Sequence, residues 1–156
     1  MRLTLDSNVL VRAVISPRGP ALRLLGIVLG EHILVLSRFI LDEVERVLLY
    51  PRIRARYRIT PEEAARFVGS LAHVSHLVEP VIKQPLVLDD PNDDPVLYTA
   101  ADGEAEILCT RNTRHFTTPQ VQEFCAARGI RVLTELEALV ELRADKGGPA
   151  TPQSTF

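Results

Sequence analysis

The side chains able to do chemistry in this chain are mostly oxygen acids, and they lie far apart in sequence. Asp6 closes the apolar run Leu3-Thr4-Leu5 and is followed by Ser7 and Asn8. Ser and Asn favour turns and helix starts. Val9, Leu10, Ala13 and Val14 then recur at helical spacing. Asp6 therefore stands where a strand hands over to a helix, the side on which ligands bind in open α/β sheets. Glu43 and Glu45 edge the apolar stripe of Ile40, Leu41, Val44, Val47 and Leu48, and periodicity does not choose between them. The acidic turn Asp89-Asp90-Pro91-Asn92-Asp93-Asp94 leads into Pro95, the first position of an apolar helix with Asp94 as its cap. The turn Thr110-Arg111-Asn112-Thr113 follows the apolar run Ile107-Leu108-Cys109.

Carboxylates brought together repel: two charges about 4 Å apart cost roughly 4 kcal/mol at an effective dielectric near 20. Such a cluster is tolerable when a cation fills it or one member is protonated. All-oxygen donors suit Mg²⁺ or Mn²⁺ rather than zinc. A hard divalent ion in an open acidic site orients water and stabilises charge on a phosphoryl group. The residue types thus point to metal-dependent phosphodiester or phosphoester chemistry.

Those side chains can meet only if the intervening elements carry them to one place. The pattern reads as a strand at about 2–6, helices at about 7–15 and 21–30, a strand at 33–36 and a helix from Ser37 to about Leu49. Thr60-Pro61-Glu62-Glu63 starts a helix that reaches about Leu77. Residues 80–95 are irregular, with a candidate strand at Leu86–Leu88. Strands at 107–109 and 130–133, a helix from Thr118 to about Arg128 and a last helix from Thr134 to about Arg143 complete the series. Strands alternating with helices argue an α/β fold with a parallel sheet covered on both faces and right-handed crossovers. All strand ends then lie on one crest, where Asp6, Asn112 and the helix start at Asp93-Asp94 converge.

The 156 residues suit one domain, expected over residues 1–143, with a Gly-, Pro-, Thr- and Ser-rich tail over 144–156 expected to be disordered. No apolar stretch is long enough to span a membrane, and the N-terminus lacks a signal-peptide layout, so a cytoplasmic location is expected. Cys109 and Cys125 lie in apolar or helical contexts and read as buried thiols. Net charge is −2, which does not announce a nucleic-acid binder. Sixteen of the eighteen basic residues are Arg, however, and Arg52, Arg54, Arg56 and Arg58 crowd one short run with Tyr57. Guanidinium forks suit phosphate, although such a run also reads as a solvated connection between helices.

Asp6 in LDSNVL, Glu43 in LDEVERVL, the stretch DPNDDPVLYTAA and the stretch CTRNTRHF occur in the order and spacing of PIN-domain ribonucleases. The chain resembles most the VapC-type toxins of type II toxin–antitoxin systems, over roughly residues 2–140. That resemblance implies a PIN-like α/β/α sandwich with a central, mostly parallel twisted sheet. It also implies Mg²⁺- or Mn²⁺-dependent endoribonuclease activity, a homodimer and a cognate antitoxin. Position by position, it implies Asp6, Glu43 and Asp94 as catalytic acids and metal ligands, with Asp93 sharing or replacing the role of Asp94. The family's fourth acid often falls in a T-x-D turn; here Asn112 offers an amide oxygen without charge. Ser7, Asn8 and Thr110 would brace the acids, and Arg111, Arg114 and His115 lie near enough to meet RNA, although a lone His beside Phe116 is more often structural.

Two other readings compete. Asn112 is compatible with a catalytically weak PIN domain that binds RNA or a protein partner. A phosphohydrolase of the haloacid-dehalogenase type would use Asp6 as nucleophile, but it wants an Asp where Asn8 stands and a late Lys, and only Lys83 and Lys146 exist.

Overall fold

A computed structural model describes residues 1–147. Five parallel strands form one sheet in the order β3-β2-β1-β4-β5, with β1 at Arg2–Leu5, β2 at Ile33–Ser37, β3 at His76–Val78, β4 at Ile107–Cys109 and β5 at Arg131–Leu133. Leu3 registers with Leu34 on one side and Ile107 on the other, so β1 is central. Its side chains Leu3 and Leu5 are inaccessible to water, as are Leu34, Leu36 and Ile107. Near-continuous apolar strands are what a sheet buried on both faces requires.

The helices are α1 (Ser7–Ile15), α2 (Pro20–Glu31), α3 (Arg38–Leu48), α4 (Pro51–Tyr57), α5 (Pro61–Val74), α6 (Asp93–Asp102), α7 (Pro119–Arg128) and α8 (Glu135–Ala144). Right-handed crossovers place the helices that follow β1 and β2 on one face, and α6 and α7 on the other. The chain leaves β1 towards β2 and later crosses to β4 on its other flank, so the topological switch lies between β1 and β4. Ligands in open α/β sheets bind at the carboxyl ends of the strands at such a switch. Ends are set locally: Ser37 caps α3 through a bond from Ile40 N–H, Thr134 and Glu137 form a reciprocal capping box on α8, and Gly129 stops α7 in the left-handed region.

The sandwich agrees with expectation, and the sheet is parallel throughout. Five features differ. The helix from Thr60 ends at Val74, and His76–Val78 join the edge of the sheet beside Val35–Ser37. Two of the three strand residues are exposed, so their pattern carries no burial signal. Arg52–Tyr57 are helical rather than a plain connection. Leu86–Leu88 is not a strand, because the N–H groups of Leu86 and Val87 bond to the Asp94 carboxylate instead of a neighbouring strand. Helix α6 starts at Asp93 with Asn92, not Asp94, in the cap position. Cys109 and Cys125 are free and buried. Helix α8 reaches Ala144 and one short turn follows; the rest of the expected tail, residues 148–156, lies outside the described residues. Among the described residues no single helix is long and apolar enough to cross a membrane.

Gly103 after α6 is held by contact rather than by backbone conformation. A Cβ there would stand 2.2 Å from Val35 Cγ1 on β2 and 2.9 Å from the Thr99 carbonyl. Its φ of −86° suits any residue, so the close approach of α6 to the sheet is the constraint. Gly103→Ala is expected to destabilise the protein by about 1–3 kcal/mol through overpacking. A thermal melt followed by circular dichroism checks this; an unchanged midpoint would contradict the packing argument.

Candidate active site

Asp6 follows β1 and caps α1. Its N–H donates to the Cys109 carbonyl at 2.9 Å, which ties the crossing point to β4. Its carbonyl accepts from Val9 and Leu10 N–H, opening the helix. Asp6 Oδ1 accepts from Ser7 N–H at 2.7 Å, and Oδ2 accepts from Thr110 Oγ1 at 2.7 Å. Thr110 Oγ1 in turn accepts from Asn112 N–H at 3.1 Å. The carboxylate is only 3% exposed and its orientation is set from both sides.

Ser7 joins a second acid to the first. Its hydroxyl donates to Glu43 Oε2 at 2.7 Å and stands 3.3 Å from Asp6 Oδ1. Glu43 comes from α3, whose buried stripe of Ile40, Leu41, Val44 and Leu48 faces the core and leaves Glu43 at the stripe's edge. Arg46, one turn later, holds Glu43 Oε1 at 3.2 Å. A third acid arrives from the start of α6: His115 Nδ1 donates to Asp93 Oδ2 at 2.7 Å. Ligand atoms of Asp90, Asp93 and His115 lie within 4.8 Å of one another.

These groups open on a cleft of about 350 Å³ at the switch between β1 and β4. Asp6, Ser7, Asn8, Glu43, Asp93, Arg111 and Asn112 line it, together with Asp90. Thr110 supports Asp6 from the buried side. Asn8 Oδ1 accepts from Arg111 N–H at 3.4 Å, which steadies the turn carrying Asn112.

Asp94, expected as the third catalytic acid, does not line the cleft. Its Oδ1 accepts from Leu86 and Val87 N–H at 2.9 Å each, so it anchors the irregular segment. Asp93 takes the cleft position. Arg114 and Glu45 also lie away from the lining. Two groups were not picked out as ligands from sequence. Asp90 sits three residues before Asp93 in the acidic turn, a spacing that could have marked it. His115, which a sequence reading favours as structural, is engaged by Asp93 through a fold contact without any local signal.

Burial and charge act together on these acids. The Asp6 carboxyl is pushed up to about 6, first by desolvation, and further by the charges of Asp93 and Glu43. The bonds from Thr110 and Ser7 oppose that rise. Asp93 is also raised, again first by burial, with the His115 hydrogen bond acting against it. A buried anion made unfavourable by its neighbours is one that a cation would relieve. The facing donors are carboxylate and amide oxygens with one imidazole, a set that fits a hard divalent ion.

The raised Asp6 value has a consequence for stability. With a folded-state value near 6 and an ordinary one of 3.8, its favourable contribution is complete below about pH 4. It is lost as pH rises through about 6, so the metal-free protein carries the penalty at neutral pH. A shift of about two units corresponds to about 3 kcal/mol at most. Asp6→Asn, free of metal, is therefore expected to melt above the parent by roughly 5–10 °C at pH 8 and to converge with it near pH 4. Parallel melts in EDTA across pH test this, and a pH-independent gap would contradict it.

A model of the PIN domain family matches residues 2–114, which contain Asp6, Glu43, Asp93 and Asn112. A search of curated protein sequences finds no match. The match ends at Arg114, one residue before the His115 that bonds Asp93. It covers most of the chain and every strand of the sheet except β5, and the fold and cleft agree with it. The chain belongs to the PIN-domain family, whose members are in general metal-dependent nucleases.

Proposed function

We propose that this protein is a Mg²⁺- or Mn²⁺-dependent endoribonuclease acting in the cytoplasm as the toxin of a type II toxin–antitoxin pair. The observation that carries the nuclease reading is the meeting of Asp6, Glu43 and Asp93 in one cleft, from three separate elements. Asp6, Glu43 and Asp93 would hold the metal, with Asp90 and the Asn112 amide oxygen beside them. When bound, such an ion supplies an activated water and stabilises charge developing on the phosphoryl oxygens. The protein's own groups do the positioning. Ser7 spaces Asp6 from Glu43, Thr110 holds Asp6 in one rotamer, and His115 fixes Asp93. Arg111 lines the cleft and is exposed, well placed to meet an incoming phosphate.

The toxin role is supported by the order of the four motifs in the chain, and a small adjacent gene for a DNA-binding antitoxin would test it. A homodimer belongs to the same reading. Leu136 and Val140 on α8, exposed by 64% and 67%, offer an apolar face for pairing, beside α2. One observation favours the second reading, a catalytically weak PIN domain that binds RNA or protein: Asn112 lines the cleft where an acid would add charge.

Two experiments decide between these. Asp6→Asn, Glu43→Gln and Asp93→Asn are each expected to lower Mn²⁺-dependent RNA cleavage at least about a hundredfold, a loss of about 3 kcal/mol in barrier terms. Asp94→Asn, which keeps an accepting oxygen for Leu86 and Val87, is expected to stay within about tenfold of the parent. Cleavage assays beside melts read both; equal losses at positions 93 and 94 would return the third acid to Asp94. Asn112→Asp adds a carboxylate beside the ion and is expected to tighten Mn²⁺ binding about tenfold, or 1–2 kcal/mol net. The same variant is expected to melt lower than the parent in EDTA, through added repulsion. Unchanged affinity and an unchanged melt would place residue 112 outside the metal site.

A further inference from the structure

The cleft sets four acids, Asp6, Glu43, Asp90 and Asp93, against Arg12 and Arg111, so it attracts a polyanion only weakly, and the chain as a whole carries a net charge of −2. The largest concentration of unopposed positive charge lies on α4. No Asp or Glu occurs between Glu45 and Glu62, while Arg46, Arg52, Arg54, Arg56 and Arg58 all do. Among the described residues, Arg52, Arg56 and Arg58 form no ion pair. No residue of α4 is buried, and its arginines are all exposed. Arg54 alone turns back, bonding the Ile59 carbonyl at 3.5 Å.

Three local features are unfavourable unless the charges are used. Arg52 lies in the first turn of α4, at the positive end of the helix dipole, with no acid there to offset it. Arg52 and Arg56 are like charges at i,i+4 on a seven-residue helix. Arg58 ends the helix in the left-handed region, at φ 52° and ψ 43°, where glycine is the unstrained choice. A strained arginine at a helix end is an outlier that points towards a role for its side chain.

The patch is continuous with the cleft. Arg46 touches Glu43 at 3.2 Å and donates to the Tyr50 hydroxyl at 3.0 Å, and Tyr50 immediately precedes α4. Arg46 also lies over the Tyr50 ring at 5.9 Å, and Arg56 over the Tyr57 ring at 5.5 Å. Both rings are partly exposed. Guanidinium groups interleaved with accessible aromatic faces suit a single-stranded polynucleotide, with phosphates on Arg and bases on the rings. An acidic protein partner is less well matched, because the centre of a protein interface is depleted of charge, while Arg52, Arg54, Arg56 and Arg58 are all exposed along this short stretch.

Resting on the nuclease reading above, we propose that α4 and the end of α3 form a second binding surface for single-stranded RNA outside the cleft. Arg52, Arg56 and Arg58 contact phosphates there, and Tyr50 and Tyr57 contact bases. From Glu43 to the end of α3 the helix rises about 8 Å and α4 is about 10 Å long, so the surface holds a few nucleotides beyond the cleft.

The test uses the full chain and a single-stranded oligoribonucleotide of about twelve nucleotides, labelled at one end, in EDTA so that no cleavage occurs. Binding is read by fluorescence anisotropy across salt concentrations. Arg52→Gln with Arg56→Gln is expected to weaken binding roughly tenfold near 0.1 M salt and to reduce the salt slope by about 1.4, since each phosphate contact on a single strand contributes about 0.7. Arg23→Gln with Arg143→Gln removes the same charge from exposed positions elsewhere and is expected to leave both quantities unchanged. Arg58→Gly supplies opposite signs: a higher melting temperature with weaker RNA binding. The proposal is overturned if the Arg52/Arg56 variant binds with the parent's affinity and slope, or if both double variants lose equally. It is also overturned if that variant keeps RNA binding and instead loses self-association by light scattering, which would make α4 a contact between copies. Cleavage of the same RNA by the parent with Mn²⁺ separates the two readings. Cleavage with an unaffected Arg52/Arg56 variant removes the α4 surface alone; a parent that neither binds nor cleaves removes the nuclease reading and this proposal together.

Discussion

Asp6 places a carboxylate at the end of the central strand with almost no access to water, and much of the architecture serves to make that tolerable. Thr110 and Ser7 donate to its two oxygens, Asp6 N–H reaches across to Cys109, and its carbonyl opens α1. Those bonds fasten β1 to β4 at the one place where the winding of the sheet reverses. They do not neutralise the charge, and burial together with Glu43 and Asp93 still lifts the carboxyl to about 6. The fold therefore spends stability at this spot, the usual mark of a site kept for chemistry rather than for packing.

Neighbouring residues on a helix point about 100° apart, and the opening of α6 uses that angle to divide labour between two aspartates. Asp93 faces His115 and the cleft, and Asp94 faces the chain that arrives from β3. The second role positions the first. Residues 86 and 87 have no strand to pair with, so without Asp94 their buried N–H groups would lack partners and the irregular segment leading to Asp90 would lose its anchor. A pair of adjacent acids in a sequence thus need not face one site.

Much of the fold was legible because its information is local. The strands β1, β2 and β4 are apolar runs bounded by polar turns, and Thr60, Thr118 and Thr134 each announce a helix through their own hydroxyl. What escaped is decided at a distance. Strand β3 exists because β2 offers it an edge, not because His76-Leu77-Val78 alternate. The choice between Asp93 and Asp94 depends on where residues 86 and 87 and His115 come to rest, which no periodicity encodes. Glu43 was separable from Glu45 only by resemblance, and the Ser7 hydroxyl that reaches it supplies the physical reason. The convergence of Asp6 and Asn112 followed from topology alone, since parallel strands bring their carboxyl ends to one crest.

The same electrostatics that strain the cleft constrain how any polyanion can approach it. With Asp6, Glu43, Asp90 and Asp93 close together, the field at the cleft repels phosphate, and Arg46 is already drawn onto Glu43 while Arg12 leans on Glu135 at 3.6 Å. A divalent ion reverses the sign at the acids only over a short range, because charges further apart than about 8–10 Å are screened at ordinary ionic strength. Attraction over the rest of a nucleic acid strand must come from cations that no carboxylate has claimed; among the described residues Arg111 is one at the cleft, and Arg52, Arg54, Arg56 and Arg58 form a run of four on and just after α4, beyond the far end of the helix that carries Glu43. Helix α3 thereby links the two charge requirements of the proposed reaction: its middle supplies an acid to the cleft, and its end leads into the arginines.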